Sequence, residues 1–187
     1  MSMPAPAGRW TAAMLATLPD DGNRYEIIDG ELFVTPAPSY AHGRIVLALG
    51  ALFREYLTGS LYVEVMIAPA DVRAGEQTSV QPDVFLLPLE DGRPVAGPAA
   101  LSELLLAIEV LSPSTASIDR YRKRLTYQRE RVREYWIVDP DARFVERWRP
   151  GAEEPEIARH RIDWQAPNAE QRLTIDLDTL FAQSAGA

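Results

Sequence analysis

The chain has 187 residues, of which 47% are hydrophobic and 25% charged, a composition that supports one folded core and excludes a disordered polymer. It contains no cysteine, which excludes disulfide scaffolds, cysteine nucleophiles and thiolate metal sites, and its two histidines leave carboxylates as the main metal ligands. A formal net charge of −8 excludes a protein that coats nucleic acid through bulk electrostatics.

The apolar runs of the chain are too short for a membrane span. The longest, at residues 45–53, is interrupted by Gly50 and falls short of the roughly 18 residues that a span needs. The proline-rich start has no apolar stretch of signal-peptide length. We therefore expect a soluble, cytoplasmic protein without a membrane partner, with residues 1–20 as an N-terminal arm and short helix and residues 21–187 as a single domain.

The first predicted elements are a short helix and a hairpin. Residues 11–18 favour a helix with Thr11 as its N-cap. Residues 25–28 and 31–34 are strand-like and flank Asp29-Gly30, a dipeptide that tolerates the positive φ values of a two-residue turn. The alternation of the first strand places Glu26 on the face of Ile28.

A longer helix and two strands follow. Ser39 is a predicted N-cap for a helix that runs to about residue 57, because apolar residues recur at helical spacing at Ile45, Leu49, Leu52 and Phe53. Residues 61–67 and 80–87 are rich in strand-forming residues.

The second half of the chain alternates strands with one helix. Residues 104–111 are nearly all apolar and predict a central strand covered on both faces. Residues 118–131 predict a helix, and residues 134–138, 144–148 and 173–177 predict strands, the last after an irregular stretch. This mixture predicts an α/β domain built around a mixed sheet and flanked by helices.

Two acidic residues occur where a carboxylate is costly. Glu109 lies inside the apolar strand 104–111, and Asp83 opens the apolar run 84–87. A buried carboxylate must be paired, hydrogen-bonded or bound to a metal, and two such strands side by side would form a site for Mg²⁺ or Mn²⁺. The alternative is structural, with Asp83 capping a loop and Glu109 paired with an arginine.

Lys123 is the only lysine in a chain of 19 basic residues and lies in its most basic stretch, 120–133. A compact ammonium could orient the attacking water or neutralise charge at phosphorus. The alternative is a solvated lysine, because Ile118, Tyr121, Leu125 and Val132 form an apolar stripe roughly opposite it. The basic stretch itself either contacts phosphates or forms a solvated face.

Two further residues are weaker candidates. Glu26 could complete a metal shell, although exposed glutamates are common on hairpins. His42, near the start of the long helix, is a candidate general base, but a histidine without a positioned partner is usually structural.

Five motifs in order carry a resemblance to a known family. They are Tyr25-Glu26-Ile27-Ile28-Asp29-Gly30-Glu31-Leu32, Gln81-Pro82-Asp83-Val84, Ile108-Glu109-Val110-Leu111-Ser112-Pro113-Ser114-Thr115, Asp119-Arg120 with Lys123 and Tyr127, and Glu134-Tyr135-Trp136-Ile137-Val138-Asp139-Pro140. Over residues 24–181 the chain resembles the Uma-type restriction endonuclease family of the PD-(D/E)XK nuclease superfamily.

The resemblance implies a restriction-endonuclease-like mixed sheet with a Mg²⁺-dependent site at strand ends. It assigns Asp83 and Glu109 as metal ligands and Glu26 as a supporting acidic residue. The chain departs from the superfamily pattern at Leu111, which stands where the lysine of (D/E)XK is expected. In this family the lysine comes from the following helix, which assigns its role to Lys123.

Three functions follow as hypotheses. The first is a Mg²⁺-dependent endonuclease that acts on DNA, with Mn²⁺ as a substitute metal. The second is a catalytically inactive binding module with a nuclease fold, and the third is a hydrolase of a small phosphodiester. Cleavage of both strands of a duplex suggests a homodimer, and Trp136, Trp148 and Trp164 are candidates for a contact surface or for core packing.

Overall fold

A computed structural model describes residues 8–94 and 97–184, so residues 1–7 of the expected N-terminal arm and residues 185–187 lie outside the described part. The strands are β1 (Arg24–Ile28), β2 (Glu31–Thr35), β3 (Val63–Ile67), β4 (Val72–Arg73), β5 (Ser79–Val80), β6 (Val84–Pro88), β7 (Ala99–Ala100), β8 (Leu106–Val110), β9 (Tyr135–Asp139), β10 (Phe144–Trp148), β11 (Glu156–Ala158), β12 (Arg161–Trp164) and β13 (Leu173–Asp176). The helices are α1 (Ala12–Leu15), α2 (Tyr40–Tyr56), a 3-10 helix (Leu101–Glu103), a π-helix (Ile118–Lys123), α3 (Arg124–Arg129) and α4 (Leu177–Ser184).

The strands form two main sheets. One has the order β11-β10-β9-β8-β6-β3 and the other has the order β2-β1-β5-β4-β7, while β12 and β13 pair with each other. Strands β8 and β9 are parallel, whereas the other pairs of the six-stranded sheet are antiparallel. The predicted mixed α/β architecture is therefore confirmed.

The β1–β2 hairpin forms as predicted. Its turn residues Asp29 and Gly30 have φ values of 52° and 81°, the left-handed conformation that a two-residue turn requires. The hairpin carries Glu26 into the protein, because β1 also pairs with β5 through Ile27 and Ser79.

Strand β8 is buried on both faces, as its composition predicts. Leu106, Ile108 and Val110 face a core that includes residues of α2 and α4. Ala107 and Leu111 face a second core, which includes residues of the five-stranded sheet and of α3. Because side chains alternate along a strand, Glu109 faces the second core, toward the five-stranded sheet and the π-helix.

The helices agree with the sequence analysis at α2 and at residues 118–131, where the π-helix and α3 together span residues 118–129, and differ at α1. The Ser39 side chain accepts a hydrogen bond from the His42 amide and caps α2. Helix α1 ends at Leu15, and the Thr11 side chain makes no capping hydrogen bond. None of the helices in the described residues has the length and apolar character needed to cross a membrane.

Two predicted segments are wrong in detail. Residues 80–87 form the end of β5 and most of β6, which belong to different sheets, because Pro82 lacks the amide that a continuous ladder needs. The stretch expected to be irregular contains β11 and β12, and α4 follows β13 where no helix is predicted.

The three tryptophans considered as a contact surface are part of the interior. Trp136 is fully buried, and Trp148 and Trp164 are 8% and 5% exposed. Phe53 packs against Trp136 and against Trp164, with ring centroids 6.1 Å and 5.6 Å apart. Core packing therefore explains these residues, and the contact-surface hypothesis is wrong for them.

Candidate active site

Asp83 and Glu109 face each other across two strands. Val84 of β6 pairs with Ile108 of β8 in an antiparallel ladder, so the next pair outward is Asp83 and Glu109. The Val110 amide donates a hydrogen bond of 2.9 Å to Oδ2 of Asp83. Both carboxylates are only 2% exposed, so the strand register by itself places two buried acids side by side.

Lys123 lies among these acids. Its Nζ atom is 2.9 Å from Oε1 of Glu109, 2.9 Å from Oε1 of Glu26 and 3.6 Å from Oδ1 of Asp119. Burial would lower the pKa of the Lys123 ammonium, but the three carboxylates outweigh it and hold that pKa well above its ordinary value. Lys123 is therefore a buried, charged ammonium in the centre of an acidic cluster.

The helix that carries Lys123 turns a different face inward from the predicted apolar stripe. Tyr121 and Leu125, part of the predicted apolar stripe, are 63% and 55% exposed, whereas Asp119 and Lys123 are each 2% exposed. The solvated position considered for Lys123 is therefore wrong. The buried residues of the π-helix and α3, which are Asp119, Lys123, Thr126 and Tyr127, recur at ordinary helical spacing, so the inward face is regular but largely polar.

Glu26 reaches the same cluster from β1. Its Oε1 atom accepts a hydrogen bond of 2.6 Å from the Gln81 amide and is also an ion-pair partner of Lys123. The residue is 3% exposed, so the exposed hairpin glutamate considered as its alternative is wrong. The structure thus brings Glu26, Asp83, Glu109 and Lys123 together, as the resemblance implies.

Asp119 belongs to the cluster although sequence reasoning gave it no role. Its Oδ1 atom is buried and has no hydrogen-bond partner, and it faces Lys123 one helical turn away. Burial raises the pKa of Asp119 to about 6, with Lys123 opposing that rise and Glu26 adding to it. The four-residue spacing from Asp119 to Lys123 was the signal that could have identified it.

Asp119→Asn is expected to stabilise the metal-free protein at pH 8. A pKa of about 6, against an ordinary 3.8, means that stability is lost as the pH rises through 6, when the buried carboxyl loses its proton. The gain should be about 2 to 3 kcal/mol at pH 8 and should vanish near pH 4. Urea unfolding in chelator at both pH values measures it, and the exposed Asp141→Asn is the matched control. A variant that is less stable than wild type at pH 8 would contradict this charge assignment.

Asp83 is held by three donors. Arg24 Nη1 lies 2.9 Å from Oδ1 of Asp83, His42 Nε2 lies 3.3 Å from the same oxygen, and the Val110 amide binds Oδ2. Burial opposes ionisation of Asp83, but the His42 hydrogen bond and the Arg24 charge prevail and lower its pKa to about 2. His42 thus has a positioned partner after all, and its Nδ1 atom is buried without a hydrogen bond.

The pKa of Glu109 is shifted in the opposite direction to that of Asp83. Burial raises its pKa well above the ordinary value, and the charges of Asp119, Asp83 and Glu26 add to this, while Lys123 opposes it. The Tyr127 hydroxyl donates a hydrogen bond of 3.0 Å to Oε1 and fixes the carboxyl group. Burial and the neighbouring acids therefore both disfavour the charged form of Glu109.

The cluster lines a cavity of about 240 Å³. We call its floor the buried residues Glu26, Asp83, Glu109, Asp119 and Lys123, together with Arg24 and His42. The rim of the cavity consists of two segments, the exposed residues 36–39 after β2 and the partly exposed residues 112–115 after β8. The second segment is shaped by its own hydroxyls, since the Ser112 hydroxyl lies 3.0 Å from those of Ser114 and Thr115. Both segments therefore line the same cavity as the carboxylates.

The floor has the composition of a site for a hard divalent cation. Four carboxylates, those of Glu26, Asp83, Glu109 and Asp119, line the cavity with two permanent cations, Lys123 and Arg24, so two formal negative charges remain in excess. No three His, Asp or Glu side chains within the described ranges already form a metal cage. Mg²⁺ commonly takes only one or two protein carboxylates and fills its other positions with water and substrate phosphate. Asp83 and Glu109 therefore fit such an ion as its protein ligands.

Leu111 and the arginines of the basic stretch take no part in the cluster. Leu111, at the usual lysine position, packs in the second core and is 8% exposed. Arg120 pairs with Asp139 and Glu146, Arg122 pairs with Glu31, and Arg129 pairs with Asp29. Much of the basic stretch is therefore committed to ion pairs within the chain.

Comparisons with known proteins agree with this architecture. The family model Uma2, described as "Putative restriction endonuclease", matches residues 12–179. The fold is similar to the crystal structure of "a putative nuclease belonging to DUF820" from Anabaena variabilis, with a TM-score of 0.76 and 19% identity over 93% of this chain and 98% of that chain. The comparison with curated proteins gives no match. At this level of identity, the structural likeness shows the fold alone.

Proposed function

The chain belongs to the Uma2 family, described as "Putative restriction endonuclease", and from this premise we propose that it is a metal-dependent endonuclease that hydrolyses phosphodiester bonds of DNA. The observation that carries the proposal is the cross-strand pair Asp83 and Glu109 with the Lys123 ammonium 2.9 Å from Glu109, at the floor of one cavity. Hydrolysis of a phosphodiester needs positive charge at the phosphate and an activated water. The carboxylates of the floor can hold a metal ion that supplies positive charge, and the Lys123 ammonium is a fixed cation that can serve both needs.

Asp83 and Glu109 would hold the metal ion. Mg²⁺, or Mn²⁺ in its place, would supply charge neutralisation at the scissile phosphate and a lowered pKa for water. Arg24, His42 and the Val110 amide orient Asp83, and the Tyr127 hydroxyl orients Glu109.

Lys123 would act on the reacting phosphate directly. Its ammonium stays charged because Glu26, Glu109 and Asp119 surround it. A cation fixed in a water-poor cavity stabilises the negative charge that develops on the phosphate oxygens, and it needs no reorganisation to do so. Glu26 and Asp119 are positioning residues, since each contacts the ammonium and holds it on the floor.

The test is metal-dependent cleavage by the wild-type protein. Fluorescently labelled DNA should be cut in Mg²⁺ or Mn²⁺, should remain intact in chelator, and should be cut again when metal is restored. Ca²⁺, which is larger and takes more ligands, should support binding better than cleavage. Cleavage that is equal with and without chelator would contradict the proposal. No cleavage in any metal would favour a nuclease fold that serves only for binding.

A further inference from the structure

The depth of the floor carboxylates bears on which form of DNA can reach them. The carboxylates of the floor are 2% to 3% exposed, so a phosphate must enter the cavity to reach them. The cavity volume of about 240 Å³ corresponds to roughly eight water molecules. A duplex is stiff, with a persistence length of about 150 base pairs, whereas a single strand bends sharply enough to insert one backbone unit.

The rim lacks the cations that duplex binding requires. Residues 36–39 and 112–115 carry no charged side chain, and among the lining residues nearest the surface only Arg24, with a side chain 21% exposed, is positive. Duplex-binding proteins typically neutralise about 6 to 10 phosphates with lysine and arginine. The chain as a whole carries a net charge of −8.

The arginines of residues 120–133 do not replace those cations. Arg122 and Arg129 pair with Glu31 and Asp29 of the hairpin, at 2.6 Å and 2.8 Å. The Arg133 amide binds the Leu104 carbonyl, before the start of β8, whereas Glu109 lies near the end of that strand. Arg122 and Arg129 are thus paired within the chain, and none of the arginines of residues 120–133 lines the cavity.

An exposed aromatic residue directly follows the rim segment 36–39. Tyr40 follows the rim residue Ser39 directly, begins helix α2 and is 92% exposed. Its backbone is fixed by helix α2. The same helix contains His42, which lines the cavity. Exposed aromatic side chains next to a nucleic-acid channel bind unpaired bases by stacking, an interaction that a paired base inside a duplex cannot make.

We infer that the site takes flexible single-stranded DNA, with one base stacked on Tyr40 while the adjoining phosphodiester enters between residues 36–39 and 112–115. This inference rests on the proposed function and names the form of DNA on which it acts. One or two phosphate contacts, Arg24 among them, accompany the stack.

The test compares one labelled DNA strand with the same strand annealed to its complement. Binding is measured by fluorescence anisotropy in Ca²⁺ and cleavage in Mg²⁺. We expect the single strand to bind and to be cut at least about tenfold better. Its affinity should fall less than about tenfold between 50 and 200 mM salt, against about 10³-fold or more for a protein with many phosphate contacts.

Two substitutions at Tyr40 make the test specific. Tyr40→Ala should weaken binding of the single strand about 5- to 100-fold, and Tyr40→Phe should keep it within about twofold because the ring remains. Tyr62, which is 57% exposed before β3, provides the matched control, and Tyr62→Ala should bind like wild type.

Preference for the duplex, a steep salt dependence, or equal binding by Tyr40→Ala and Tyr62→Ala would overturn the inference. Tyr40-dependent binding of the single strand without cleavage in any metal would uphold it and overturn the proposed catalysis. The two failures are therefore distinguishable.

Discussion

Asp83→Asn and Glu109→Gln are each expected to reduce metal-dependent DNA cleavage by at least about 10³-fold, because each removes one of the two carboxylates assigned to the metal. Both replacements keep the shape of the side chain, so the cavity floor is preserved. Cleavage of labelled DNA in Mg²⁺ measures the loss, and Glu153→Gln, on an exposed loop, is the matched control.

The same two variants should differ in stability when the metal is chelated. The pKa of Asp83 is lowered to about 2, so its charge contributes stability above pH 4 that is lost as the pH falls toward 2, and Asp83→Asn should cost about 2 kcal/mol at pH 7. Glu109 has a raised pKa, so its charge is unfavourable at high pH and Glu109→Gln should be more stable than wild type. Equal losses of activity with opposite changes in stability would show that cleavage is not lost through unfolding. Wild-type cleavage by either variant would remove that residue from the mechanism.

Lys123→Met is expected to destabilise the protein by about 3 to 5 kcal/mol at pH 8 and to abolish cleavage, because it leaves three buried carboxylates without their shared cation. The loss should shrink as the pH falls, since the stranded carboxylates then take up protons. Urea unfolding between pH 5 and 8 measures both effects.

Arg122→Met is the matched control for Lys123→Met. Arg122 is the neighbouring residue, its side chain is 53% exposed, and its ion pair with Glu31 lies at the surface. Such a pair contributes about 1 kcal/mol or less, so this variant should unfold close to wild type. If Lys123→Met were as stable as Arg122→Met at pH 8, the buried ammonium would not be the cation that holds the cluster together.

The sequence singles out the two buried carboxylates because their signal is local. An acid inside an apolar strand is anomalous at the level of a few residues, and both Glu109 and Asp83 show that anomaly. The hairpin that carries Glu26 is local as well, since Asp29 and Gly30 suit the turn conformation. These features require no knowledge of the tertiary structure.

The burial of Lys123 depends on tertiary structure and could not be predicted from helical periodicity. A helical wheel takes the apolar side as the inward face, but here the inward face carries Asp119 and Lys123, and Lys123 pairs with acids on β1 and β8. Arg24 and His42 were not assigned to Asp83 for a similar reason. They lie 59 and 41 residues from it in the chain, and only the folded sheets bring them together.

The homodimer stays a prediction, and a single-stranded substrate removes one reason for it, since two sites are needed chiefly to cut both strands of a duplex.

Calorimetric titration of Mg²⁺ and Mn²⁺ into the wild type and Asp83→Asn, with and without single-stranded DNA, tests the central claim most directly. We expect saturable binding to the wild type that DNA strengthens, and binding at least about tenfold weaker in Asp83→Asn. A wild-type protein that binds neither metal in the millimolar range, even with DNA present, would contradict a carboxylate metal centre and with it the endonuclease mechanism.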